Sequence, residues 1–356
     1  MQRIVKPKFN IAFHGLRGLA AFMIFFIHSM NGYIEHVCPD CSSRFTEIIS
    51  NIGVFGVEIF FFLSGFVIYS ASIRTAPKDF FLHRFWRIYP VFILFTLLYF
   101  IMNHFIQVVP EKDNIFYLMF NMIFINVFTG TPSLTPNAWT VVLEIWYYVA
   151  TFFIVNSWIN KKGNFLMLIG ILLAAYLIVY WPITLYYIIG VIASIFISKY
   201  LIFIQRLTKL TINSIQLISL IIMLTIIIKG HDYYTWSMII SNFNVLLLLM
   251  TLFIVMILMF HEDSFLALIL SNEIFLILGT VSYTLYLAHP YSYIISRKII
   301  EYFFSTDYLI EISIIFFIFL LFSLTFSLVW FVHYLFEAKI YKKMTGKELL
   351  IPTTKI

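Results

Sequence analysis

Residues 9–30 read Phe-Asn-Ile-Ala-Phe-His-Gly-Leu-Arg-Gly-Leu-Ala-Ala-Phe-Met-Ile-Phe-Phe-Ile-His-Ser-Met. The run has the length of a membrane span, about 20 residues. It does not read as a cleavable leader, because His14, Arg17 and His28 interrupt it and many similar runs follow. Counting outward from it, further apolar runs lie at 53–73, 88–106, 139–159, 165–181, 183–200, 212–229, 243–260, 275–295 and 309–335. The sequence therefore predicts an all-α, polytopic integral membrane protein with ten transmembrane helices. The fifth run is short and abuts Trp181-Pro182, so it forms a tight hairpin with the sixth. The last is long, and either tilts or emerges from the bilayer.

Composition agrees. Of 356 residues, 62% are hydrophobic, 41 are Phe and only 11% are charged, against roughly 25% charged in a soluble domain. Mean hydropathy is +0.96. A soluble enzyme, a disordered chain and a fibrous protein are excluded. An outer-membrane barrel is excluded too, because its strands alternate over about ten residues whereas these runs are continuous for about twenty. Cys38 and Cys41 are the two cysteines. They make one CxxC, too few for a disulfide scaffold and half of a zinc site, so no metal is expected.

The net charge of +6 reads as topology rather than nucleic-acid binding. With ten spans and both termini cytoplasmic, 17 Lys/Arg fall on the inner side: Arg3, Lys6, Lys8, Arg74, Lys78, Arg84, Arg87, Lys161, Lys162, Lys199, Arg206, Lys209, Lys339, Lys342, Lys343, Lys347 and Lys355. Five fall outside (Arg44, Lys112, Lys229, Arg297 and Lys298), and Arg17 is within the membrane. The segment 115–128 is apolar but only fourteen residues long, the length of a re-entrant or interfacial helix. Counting it as an eleventh span would send ten of the 17 outside and bring only three of the five inward. The positive-inside rule rejects it. The chain is a single transmembrane domain, with long external connections at 31–52 and 107–138 and a short basic cytoplasmic tail over 337–356. This topology suits a multi-pass protein of a bacterial plasma (inner) membrane.

A charge inside a bilayer is costly and marks a functional site by default. Arg17 and His28 are eleven residues apart, within 20° of a whole number of helical turns, so they share a face about 16.5 Å apart along the axis. His14 lies near that face. Glu58 and Glu144 each sit five residues into an inward-running span, and His289-Pro290 lies near the outer end of an outward-running one. Helix rise alone then gathers His28, Glu58, Glu144 and His289 at one depth near the outer surface. A histidine with a carboxylate neighbour can act as general base on a hydroxyl. On the inner side Arg84 and Arg87, three apart, point one way and can grip phosphates. The same residues also suit anionic lipid.

The ordered motifs carry a resemblance. They are His14-Gly-Leu-Arg17-(x)10-His28, Gly56-Val-Glu58-Ile-Phe-Phe-Phe-Leu-Ser64-Gly65-Phe66 and Arg84-Phe-Trp-Arg87-Ile-Tyr-Pro90. Trp139-Thr140-(x)3-Glu144-(x)2-Tyr147 and Gly279-(x)2-Ser282-Tyr283-(x)2-Tyr286-Leu287-(x)-His289-Pro290 complete them. Together they resemble the membrane acyltransferase type 3 family, whose members often O-acetylate extracellular or periplasmic glycans. The resemblance runs from residue 14 to about 290. It implies an O-acyltransferase of polysaccharide O-acetylation in the cell envelope, an acyl-CoA donor, usually acetyl-CoA, used as co-substrate with no permanently bound cofactor, and an extracytoplasmic glycan or lipid-linked saccharide as acceptor. Arg17 and His28 are implied to be essential, with Arg84 and Arg87 on the donor side. Leu143 stands where relatives often carry Ser, which argues against a serine nucleophile there.

The expected chemistry is transfer of the acyl group to a sugar hydroxyl, direct or through an acyl-histidine. His28 takes the proton, Arg17 holds the donor or offsets negative charge, and Glu58 or Glu144 sets the state of His28. His289, Tyr283 and His14 are expected at the acceptor pocket. Partners are acyl-CoA, glycan and membrane lipid, with no nucleic acid. The alternative from another class is a transporter or flippase for a glycan or lipid-linked sugar. A scaffold with a degenerate site is a third.

Overall fold

Helix boundaries follow from local chemistry. In the computed structural model, which describes residues 10–39, 44–160, 164–230, 235–303 and 310–349, the Asn10 side chain accepts the Ala12 N–H and starts α1 (Ile11–His36). After α2 (Arg44–Arg74), α3 (Pro77–Ile106) opens on a proline, whose missing N–H is harmless in a first turn, and stops at Gln107 in the left-handed conformation. Then come α4 (Ile115–Met122), α5 (Ala138–Asn160) and α6 (Asn164–Tyr180), the last ended by Trp181-Pro182. The other long helices are α7 (Leu185–Gln205), α8 (Lys209–Lys229), α9 (Phe243–Leu258), α10 (Glu273–Phe303) and α11 (Ile310–Val332), with short helical turns at Asn126–Thr129, Trp236–Ser241 and Phe265–Leu270. A π turn over His333–Glu337 leads into α12 (Ala338–Thr345). No strand occurs among the described residues. Arg3, Lys6, Lys8, Cys41, Lys161, Lys162, Lys355 and the tail beyond residue 349 lie outside them.

Eight helices among the described residues are long and apolar enough to cross a membrane. The fifth and eighth expected spans correspond to α6 and α9, shorter apolar helices of 17 and 16 residues. Large apolar side chains such as Phe105, Leu210 and Trp330 face outward, as a lipid-solvated bundle requires.

Glycines set the closest contacts. A Cβ on Gly18 would lie 2.4 Å from the Gly279 nitrogen, and one on Gly279 would lie 2.2 Å from the His14 carbonyl oxygen. Thus α1 and α10 touch backbone to backbone, the arrangement small residues permit between membrane helices. His28 faces His289 farther along, so the two helices run parallel. In contrast, Phe13 meets Phe66 and Ile27 meets Gly53, so α2 runs antiparallel to α1. Tyr283 and Tyr291 of α10 donate to the carbonyls of Ile88 and Phe95 in α3, again in parallel register. Arg74, Lys78, Arg84, Arg206, Lys209 and Lys342 share the end of the bundle where α1 begins, termed the basic end here.

The segment 115–128 does not span. After the eight residues of α4 the chain turns at Phe124, in the left-handed region with φ 61°. The Phe124 carbonyl accepts from the Trp146 indole at 2.7 Å, and Trp146 lies eight residues into α5. At 1.5 Å per residue the loop reaches about 12 Å down that helix. Irregular backbone at such depth survives only where protein satisfies it. The Trp146 indole does so, as do the Asn121 amide donating to Tyr117 and Pro132 carbonyls and accepting from the Leu134 N–H.

Candidate active site

A cavity of about 750 Å³ opens at the basic end and runs into the bundle. Arg17 projects from the glycine-rich face of α1, where its Nη2 donates to the Gly279 carbonyl at 2.7 Å. Its Nε is buried without a hydrogen-bond partner among the described residues. His14, one turn away, meets the Thr280 hydroxyl at 3.1 Å. Across the cavity, the Ser64 and Tyr148 hydroxyls both donate to the same oxygen of Glu144. The Arg84 guanidinium lies over the Tyr148 ring, 5.6 Å from its centroid. Arg84, Arg87 and Tyr283 complete the wall. Neither Arg84 nor Arg87 forms a salt bridge with a carboxylate among the described residues.

Tyr286 is on the cavity wall at the end away from the opening, with Val57, Phe60 and Thr140. Its hydroxyl lies 2.6 Å from that of Thr140, and its carbonyl accepts from the Asn137 side chain. Beyond it, the rings of His28 and His289 stack at 5.7 Å with 19° between their planes. His289 is buried, and the Tyr286 ring lies 6.0 Å from it. His28 is exposed. The His289 Nδ1 faces the Leu285 carbonyl at 3.3 Å. That contact assigns the proton of a neutral ring to Nδ1 and leaves Nε2 as acceptor.

The expected gathering of both carboxylates at His28 is corrected by the helix register. One residue forward along α1 matches one residue back along α2, so Glu58 is level with residues 21 and 22 of α1, and Ser64 with residues 15 and 16. At 1.5 Å per residue, Glu58 lies about 10 Å deeper than His28, and Ser64 with Glu144 about 19 Å deeper. Glu58 is fully buried with the Tyr186 hydroxyl as its partner. The cause is where helices begin. The α2 helix starts at Arg44 rather than 53, so Glu58 is fourteen residues in. The α5 helix starts beneath the inserted 107–137 connection, with Trp139 already beside Phe61. Tyr283 and His14, expected near the acceptor, line the cavity with Arg84 and Arg87. The one expected neighbour that does reach His28 is His289.

A further group was not singled out from the sequence. His333 Nδ1 and Glu337 Oε2 lie 2.6 Å apart, both buried, and the Thr284 hydroxyl donates to the same oxygen at 2.5 Å. They sit on the π turn, a rare geometry that recurs at functional sites. Glu337 is one of the charges acting on Arg17, together with Arg87 and Glu144. The available signal was an i,i+4 His/Glu pair at the end of the last apolar run.

Compared with known proteins, residues 10–333 match a family described as an acyltransferase domain. No curated protein and no solved structure matches the chain.

Proposed function

Since the chain belongs to this membrane acyltransferase family, we propose that it moves an acyl group, acetyl in the simplest case, from cytoplasmic acyl-CoA to a hydroxyl of an extracytoplasmic polysaccharide or lipid-linked sugar. The observation that carries this reading is the cavity at the basic end, with Arg17, Arg84 and Arg87 on its walls and the His28–His289 pair just beyond its inner end. In this reading ten helices span a plasma membrane, and the basic end and both termini are cytoplasmic.

The donor enters from the basic end and rests its phosphates on Arg84 and Arg87, which match phosphate with forked donors. Its acyl-bearing arm passes Arg17, whose uncommitted Nε–H can donate to a carbonyl of that arm and so hold the donor along the path. Glu144, fixed by Ser64 and Tyr148, keeps a countercharge near the guanidiniums of Arg17 and Arg84. The acceptor hydroxyl arrives at His28. As the oxygen attacks the thioester carbon, His28 takes its proton, the C–S bond breaks, and the proton ends on the CoA sulfur. His289, whose ring stacks on that of His28, positions it and shares the charge that forms. Tyr286 must swing aside for the acyl group to reach the histidines.

The decisive test is free CoA release from acetyl-CoA by the purified protein in detergent with its envelope glycan, together with mass spectrometry of the glycan with and without the gene. CoA release and a lost acetyl increment support the proposal. Glycan translocation without CoA release would make it a flippase.

A further inference from the structure

The wall of the cavity at its open end is made by the chain that follows the last span. Tyr341 of α12, with Lys347, Glu348 and Leu349, lines the 750 Å³ space. Tyr341 is buried, and its ring meets that of His83 at 6.4 Å. Gly346, with φ 69°, ends α12 in the left-handed conformation, which costs glycine little. Lys342 pairs with Glu348 at 2.7 Å across that turn. Glu348 is thereby spoken for, whereas Lys347 has no acidic partner among the described residues. Beside the main cavity lies a second hollow of about 140 Å³, lined by Thr75, His83, Arg84, Arg87 and Tyr341 among others, with no carboxylate on its walls. Arg84, Arg87 and Tyr341 border both spaces.

Two guanidiniums, an imidazole and an ammonium around one opening, with the nearest acid already paired, form a site for a polyanion. An aromatic wall and a side chamber fit one that carries a ring system. We propose that Tyr341 and Lys347 are specificity-determining residues that read the nucleotide end of the thioester donor. Lys347 takes a phosphate jointly with Arg84 and Arg87, and Tyr341 walls the side hollow that receives the remainder of the nucleotide. The segment 338–349 is then part of the donor site rather than a tail. This rests on the acyl-CoA reading above, and adds to it that the protein discriminates acyl-CoA from thioesters lacking the nucleotide at this segment.

The test is displacement of radiolabelled acetyl-CoA from the purified full-length protein by CoA, 3′-dephospho-CoA and pantetheine. The wild type binds CoA more tightly than pantetheine. Lys347→Ala weakens CoA about fivefold, the scale of one partly exposed ionic contact, and leaves pantetheine unchanged. Lys347→Arg restores the preference. Because Lys347 is exposed, its variants report on binding rather than folding. Tyr341→Phe keeps the wall and the preference, while Tyr341→Ala reduces affinity for CoA and 3′-dephospho-CoA alike. Wild-type affinity for CoA in Lys347→Ala, or equal losses for CoA and pantetheine in Tyr341→Ala, would overturn the inference while leaving the donor reading intact. A wild type that binds no acetyl-CoA would overturn both.

Discussion

Around Arg17, polar side chains from four helices hydrogen-bond to one another or to backbone, and a cavity of about 750 Å³ stands open beside them. Some 16.5 Å farther along α1, His28 has the ring of His289 for a neighbour and is not on the wall of that cavity. The first region is preorganised before any ligand arrives. The second is a pair of bases at the far side of a tyrosine. The difference matches two substrates of unlike character. In the proposed reaction, a donor of fixed structure rewards a finished site, whereas an acceptor arriving from the other side needs a reachable base.

The widest gap between the regions is expected for His28→Ala. Acyl transfer should fall by roughly 10²–10⁴-fold, the usual worth of a general base, while donor binding at the cavity stays intact. Equal loss of donor binding would dissolve the distinction. Next, Arg84→Ala combined with Arg87→Ala should raise the donor KM by about 100-fold, taking roughly 1.5 kcal/mol per charge-assisted bond, with a smaller change in kcat. An unchanged KM would remove both from the donor site. Glu144→Gln retains the shape but not the countercharge and should cost about tenfold in kcat/KM, the scale of one pKa unit of electrostatics. In Tyr286→Ala, the cavity and the histidines become continuous. Thioester hydrolysis without acceptor should rise, because a water-excluding side chain is lost, and a tightly coupled variant would argue that Tyr286 is no barrier. The smallest effect on kcat/KM is expected for Glu58→Gln, within about twofold, because Glu58 is not on the cavity wall and lies about 10 Å deeper than His28; a larger loss would put it in the reaction.

The two carboxylates, Glu144 and Glu58, separate what could be read from the chain and what could not. Apolar length revealed nearly every helix, and the 3.6-residue period put Arg17 and His28 on one face. Arg84 and Arg87 were also legible, from their spacing and their place at the basic end. Depth was not. Counting from an assumed membrane edge made Glu58 and Glu144 equals, but α2 extends nine residues beyond that edge and α5 begins beneath an inserted loop. Such offsets arise from tertiary contacts, like the Trp146–Phe124 bond, that no hydropathy profile contains. His333 and Glu337 escaped for a related reason. They lie where the last apolar run fades into basic residues, and only the fold shows that Thr284 and the field at Arg17 await them.

The glycine seam between α1 and α10 has one more consequence. Bilayers differ in thickness, and a helix usually answers by tilting or sliding against its neighbours. Two helices locked backbone to backbone at Gly18 and Gly279 must lean together. The interval from the arginine to the paired histidines is then a ruler carried by the protein, indifferent to whichever lipids surround it.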